Sequence, residues 1–232
     1  MFSLSPEERD AIWLSLKVAS WATLGTLPFG VAVAWALARL RGRWLLVLDA
    51  LVHLPLVIPP VVTGYLLLLV FGRRGPLGQF LESSFGIVFS FRWTGAALAC
   101  AVMGFPLLVR AIRLAIEGVD RRLEQAAATL GASPIRVFAS VTLPLALPGV
   151  IAGGLLCFAR ALGEFGATIT FVSSIPGETQ TIPAAIYAYT QTPGGDAGAM
   201  RLTLVSIAIS VLALAVSAWL SRRAAGRSAA AA

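Results

Sequence analysis

Leu123-Glu124-Gln125-Ala126-Ala127-Ala128-Thr129-Leu130-Gly131-Ala132-Ser133-Pro134, running on to Val141-Thr142-Leu143-Pro144, is a polar, amphipathic stretch set between two runs of apolar residues. Asp120 stands where an N-cap belongs, and Leu123, Ala126, Ala127 and Leu130 then recur at helical spacing. Gly131 ends that helix, because glycine takes the left-handed conformation without steric cost. Ser133 followed by Pro134 is a second start signal, N-cap then first helical residue, with Ile135 and Phe138 as its apolar face. The expected unit is helix, sharp glycine turn, helix, lying at a membrane surface.

Outward from this loop the chain is apolar. Hydrophobic residues make up 58% and charged residues 12%, with a mean hydropathy of +0.85, which selects a membrane-embedded, all-α class. Five runs, near 12–38, 45–71, 94–116, 143–171 and 202–221, have the roughly 20 residues a helix needs to cross about 30 Å of hydrocarbon. The 18 Lys and Arg then fix an orientation. With the N-terminus outside, Arg39, Arg41, Arg43, Arg110, Arg113, Arg121, Arg122, Arg136, Arg222, Arg223 and Arg227 fall on the cytoplasmic side. Arg9, Lys17, Arg73, Arg74, Arg92 and Arg201 fall outside, and Arg160 lies within a span. The positive-inside rule therefore predicts N-out, C-in. The basic balance serves topology, so no nucleic-acid partner is implied. Met1 to Asp10 lacks the basic start of a cleaved signal, and the first run is expected to remain in place. Cys100 and Cys157 sit inside apolar runs and read as small packing residues rather than a disulfide. Residues 1–232 read as one transmembrane domain, with the loop at about 117–142 and a disordered Ala-rich tail at about 224–232.

Two runs carry breaking signals. Pro55, Pro59 and Pro60 within the second remove amide donors and predict a kink or break, a feature tolerated where a cavity is lined. The fourth opens with Pro144 and Pro148 and carries Gly149, Gly153, Gly154, Gly163 and Gly166, spacing that lets helices approach closely. Pro183 to Tyr189 is apolar but too short to span, and is expected to form an interfacial or re-entrant helix.

The loop resembles the docking loop of permeases of binding-protein-dependent ABC importers, whose pattern is Glu-Ala-Ala, three residues, Gly, nine residues, Ile-x-Leu-Pro. Gln125-Ala126-Ala127, Gly131 and Val141-Thr142-Leu143-Pro144 keep every interval, with Gln125 in the place of Glu and Val141 in that of Ile. Across nearly the whole chain the resemblance narrows to molybdate permeases, on His53 to Tyr65, Gly72-Arg73-Arg74-Gly75, Phe158 to Thr168 and Ile175 to Pro183. Sulfate permeases are similar but less so in the stretch around Arg160 and Glu164. The resemblance implies a type I importer permease of the bacterial inner membrane, carrying molybdate and tungstate. It implies Glu124, Gln125, Ala126, Ala127, Gly131 and Pro144 as the coupling loop. Its implied partners are a second copy of the chain, two ATP-binding subunits and a periplasmic molybdate-binding protein. No cofactor belongs to this chain; ATP and magnesium would sit in the partner, since the one lysine, Lys17, has no glycine-rich lead and forms no P-loop.

Candidates for the pathway or a gate are Thr63, Gly64, Arg73, Arg74, Arg160 and Glu164. Thr63 and Gly64 follow the Pro59-Pro60 break, where a half-helix N-terminus favours an anion. Arg73 and Arg74 either attract an oxyanion or reach lipid headgroups. Arg160 and Glu164, four apart, either pair with each other on one helix face or shape an outer gate. His53 has no second ligand at metal-site spacing and reads as a packing residue. An ion-coupled secondary transporter would use similar broken helices, but it needs carboxylates near the midplane, and Glu164 is alone.

Overall fold

The computed structural model describes residues 3–230, their side chains only through 216 and at Trp219, and every regular element among the described residues is helical. The first helix, α1 (Pro6–Arg39), begins with a capping box. Ser5 Oγ accepts from the Glu8 amide at 3.2 Å, and a Glu8 carboxylate oxygen accepts from the Ser5 amide at 2.8 Å. Glu8 is nearly fully buried and also pairs with Arg201 at 2.6 Å. An unpaired carboxylate at that depth would be costly, so this pair ties the start of α1 to the last helix.

The second apolar run is two helices, α2 (Trp44–Val57) and α3 (Pro60–Phe71), bent by 116°. Ile58 and Pro59 are extended, and neither Pro59 nor Pro60 has an amide to continue the α2 ladder. The expected span is thus an elbow. A short α4 (Pro76–Phe85) leads to α5 (Trp93–Glu117), the central helix, which packs against α1 and α8 (Leu143–Leu162). Small residues make that approach close: Ala96, Ala99, Cys100 and Cys157 are fully buried. Both cysteines are free thiols at these helix crossings.

The loop holds α6 (Arg121–Thr129) and α7 (Pro134–Val137). Here expectation and structure part. The second loop helix does not lie apart on the surface: α7 runs through a π-helical turn, Phe138–Thr142, straight into α8, giving a continuous helix from Pro134 to Leu162. The fourth apolar run ends differently too. Helix α8 stops at Leu162, the chain breaks over 163–165, and α9 (Gly166–Val172) continues separately. The remaining elements are α10 (Ile182–Thr190), whose Ile182, Ala184 and Ala185 are buried, and α11 (Asp196–Ala230). Of the tail expected to be disordered, residues to 230 belong to α11 and residues 231–232 lie outside the described residues.

Among the described residues, four helices are therefore long and apolar enough to cross a bilayer, or five spans if the bent pair counts as one. Two apolar cores lie along α5. One gathers Leu14, Val18, Met103 and Phe171, the other Leu37, Leu108, Ile112 and Val150. Trp13, Trp21, Leu46, Val57 and Leu212 stay exposed, as side chains facing lipid do.

Candidate functional site

The loop between α5 and α8 is built by its caps. Asp120 accepts from the Arg122 amide at 2.9 Å and Ser133 from the Arg136 amide at 3.4 Å, so both helices start where the sequence predicts. Gly131, between them, has φ +84 with open space around its Cα, so its requirement is conformational rather than spatial. Leu123, Leu130 and Ile135 project outward at 50%, 89% and 81% exposure. Exposed leucine and isoleucine so close together on a polar loop make an apolar surface patch rather than a core.

Glu124 and Gln125 point in opposite senses. Gln125 is exposed. The Glu124 carboxylate turns inward, accepting from Thr142 Oγ1 at 2.6 Å and pairing with Arg39 Nε at 3.0 Å. Arg39 Nη2 also donates to the carbonyls of Ile116 and Val119, at 2.8 and 3.3 Å, and Arg121 reaches the Ala38 carbonyl at 3.4 Å. The ends of α1 and α5, the helix α6 and the π turn thus meet at one carboxylate. Sequence reading placed Arg39 only as a topology marker. Ala126 is exposed, Ala127 half-buried, and Pro144 exposed in the first turn of α8.

The two helix breaks lie against each other. A Cβ on Gly64 would collide with the Ala167 carbonyl, and one on Gly166 would stand 2.8 Å from the Pro60 ring. Helices α3 and α9 therefore touch backbone to backbone. At the start of α3 the amides of Val62 and Thr63 are already taken, donating to the Pro59 carbonyl at 2.9 and 3.1 Å. The Thr63 hydroxyl, by contrast, is buried with no hydrogen-bond partner.

Arg160 and Glu164 form an ion pair of 2.6 Å with the carboxylate side chain 1% exposed and the guanidinium 28%. The pair does not lie on one continuous helix face, since Glu164 sits in the break beyond the end of α8. Its second oxygen accepts from the Ala167 amide at 2.7 Å, which joins the end of α8 to the start of α9. In the turn beyond α3, Arg73 and Arg74 are exposed on a cleft of about 360 Å³ beside Ser90 and Phe91, and among the described residues their guanidinium groups have no partner. His53 Nδ1 donates to the Asp49 carbonyl oxygen of its own helix at 2.9 Å, while Asp49 also pairs with Arg113 at 3.1 Å.

Among solved structures, a bacterial alginate ABC transporter in complex with alginate pentasaccharide-bound periplasmic protein shares this fold. The TM-score is 0.75 at 16% identity, over 94% of this chain and 80% of that one. In sequence, the chain is 60% identical to the molybdenum transport system permease protein ModB of Escherichia coli strain K12, over 94% of this chain and 96% of that protein. It is 56% identical to the ModB of Haemophilus influenzae, over 93% and 94% respectively. The family of binding-protein-dependent transport system inner membrane components matches residues 26–226, an interval that takes in the elbow, the capped loop and both breaks. Its span, together with those identities, makes this chain a member of that family of inner-membrane transport components.

Proposed function

We propose that this chain is the transmembrane permease subunit of an ABC importer that brings molybdate, and tungstate with it, across the inner membrane. The observation that carries the reading is the 60% identity to a molybdenum transport permease over 94% of the chain. A tetrahedral oxyanion also suits a chain whose exposed cleft holds two arginines without a partner. Two copies would enclose a pathway on a two-fold axis, since one chain has too few spans to surround one. Each copy would present Leu123, Gln125, Leu130 and Ile135 to one of two ATP-binding subunits, which hold ATP and magnesium. A periplasmic molybdate-binding protein would deliver the anion to the outer loops. The N-terminus lies outside and the C-terminus in the cytoplasm.

Proteoliposomes holding the permease, its ATPase and its binding protein test the cargo. Labelled molybdate should accumulate only with ATP, and excess tungstate should compete far better than excess sulfate; equal competition by sulfate would overturn the assignment. For topology, cysteines at exposed Arg122 and Glu178 should be labelled from opposite sides, cytoplasmic and outer. Labelling of both from one side would refute five crossings.

A further inference from the structure

The loop holds a joint as well as a docking face. Along the helix from Pro134 to Leu162 the backbone leaves the α register at one turn, Phe138–Thr142, where the Leu143 amide reaches back to the Phe138 carbonyl. A π turn carries one residue more than an α turn, and such turns mark places where a helix changes register. Both ends of this turn are hooked to other elements. Phe138 packs edge-on against Trp35 of α1, with ring centroids 6.2 Å apart, and Thr142 donates to Glu124 of α6. Glu124 is held in turn by Arg39, and the side chains of this ion pair are only 10% and 16% exposed. Solvent screening is weak there, so the pair acts at close range.

We propose that Glu124 is a positioning residue, not an ATPase contact, and that Arg39, Glu124 and Thr142 form a latch whose release lets the π turn close to α and passes motion of α6 into α8. Closing the turn would rotate α7 relative to α8 by about 100°, the angle of one residue in an α-helix, while Gly149 and Gly153 keep α8 against α5. Gln125, one residue on and exposed, is left to meet the partner subunit. The inference rests on the ABC permease reading above.

The test uses the complete reconstituted complex with Thr142→Val, Glu124→Ala and the double variant. Thr142→Val keeps the side-chain shape and removes only the donated hydrogen bond, so it isolates that contact. The latch predicts normal ATPase assembly for Thr142→Val. Molybdate imported per ATP hydrolysed should fall about tenfold, the factor for losing one hydrogen bond to a carboxylate. In the Glu124→Ala background, Thr142→Val should add nothing further. Basal hydrolysis without any anion should rise in all three variants, a reading independent of cargo. Failure of the wild-type complex to import molybdate alongside raised basal hydrolysis in the variants would reject the cargo and leave the latch standing. Wild-type coupling in Thr142→Val, or loss of ATPase binding in Glu124→Ala alone, would overturn the latch.

Discussion

The capped loop and the paired helix breaks are both interruptions of helix, yet they are joined in opposite ways. At the loop, contact between elements is polar and long-armed: Arg39, Glu124 and Thr142 meet through side chains, and Gly131 turns in open space. At the breaks, contact is backbone on backbone: Gly64 lies against Ala167 and Gly166 against Pro60, with one buried ion pair behind them. Side-chain hydrogen bonds can release and reform at small net cost, whereas interlocked backbones cannot slide without opening a cavity. The loop's joints can thus release at lower cost than those at the breaks.

That contrast is broken most severely at Arg160. Arg160→Gln leaves the buried Glu164 carboxylate with only the Ala167 amide, at a cost of about 3 kcal/mol, the low end for a buried pair because Arg160 keeps some exposure. Glu164→Gln should cost about 1 kcal/mol, since the amide oxygen still accepts from Ala167 and Arg160 can turn to water. The double variant should recover much of the Arg160→Gln loss. Thermal midpoints of the purified complex measure all three, and equal costs for the two single changes would contradict the asymmetry.

The two glycines sharpen the comparison next. Gly64→Ala forces α3 away from α9, and should cost about 1–3 kcal/mol of permease stability. Gly131→Ala meets nothing in space and pays only for its backbone angle, about 1 kcal/mol. Its effect should appear mainly as weaker ATPase binding, with only a small fall in the permease melting midpoint; a larger loss of permease stability at Gly131 than at Gly64 would reverse the argument.

The smallest effect on the permease itself belongs to Leu130→Glu. At 89% exposure the side chain supports nothing within this chain, so the melting midpoint should stay within about 0.5 kcal/mol of the original. Association with the ATPase should fall by about tenfold or more if Leu130 fills a pocket on it. Unaltered binding in a pull-down titration would remove Leu130 from the docking face.

Features that depend on neighbours in sequence were readable from it. Asp120, Gly131 and Ser133-Pro134 mark the loop correctly because caps and turns are local events. The break at Pro59-Pro60 was readable for the same reason, though not its 116° angle, which packing against α9 decides. The break after Leu162 has no proline, and the signal that could have found it is Gly163 and Gly166 flanking a carboxylate in an otherwise apolar run. The π turn has no sequence signature, because Phe138 to Thr142 also suits an ordinary α turn. The Arg39–Glu124 pair spans 85 positions, and no spacing rule reaches that far. Arg39 and Arg201 therefore looked like topology markers when each also closes a tertiary contact.

The Glu8–Arg201 pair joins residues 193 positions apart, with the carboxylate at the very start of the first helix. On the ribosome Glu8 emerges long before Arg201 exists. Until the final span arrives, that carboxylate must remain in water, and the first helix cannot settle to its full depth of burial. Completion of the last span is therefore the event that seals the first, and a nascent chain stopped short of Arg201 would carry an open, hydrated acidic end that distinguishes it from a finished one.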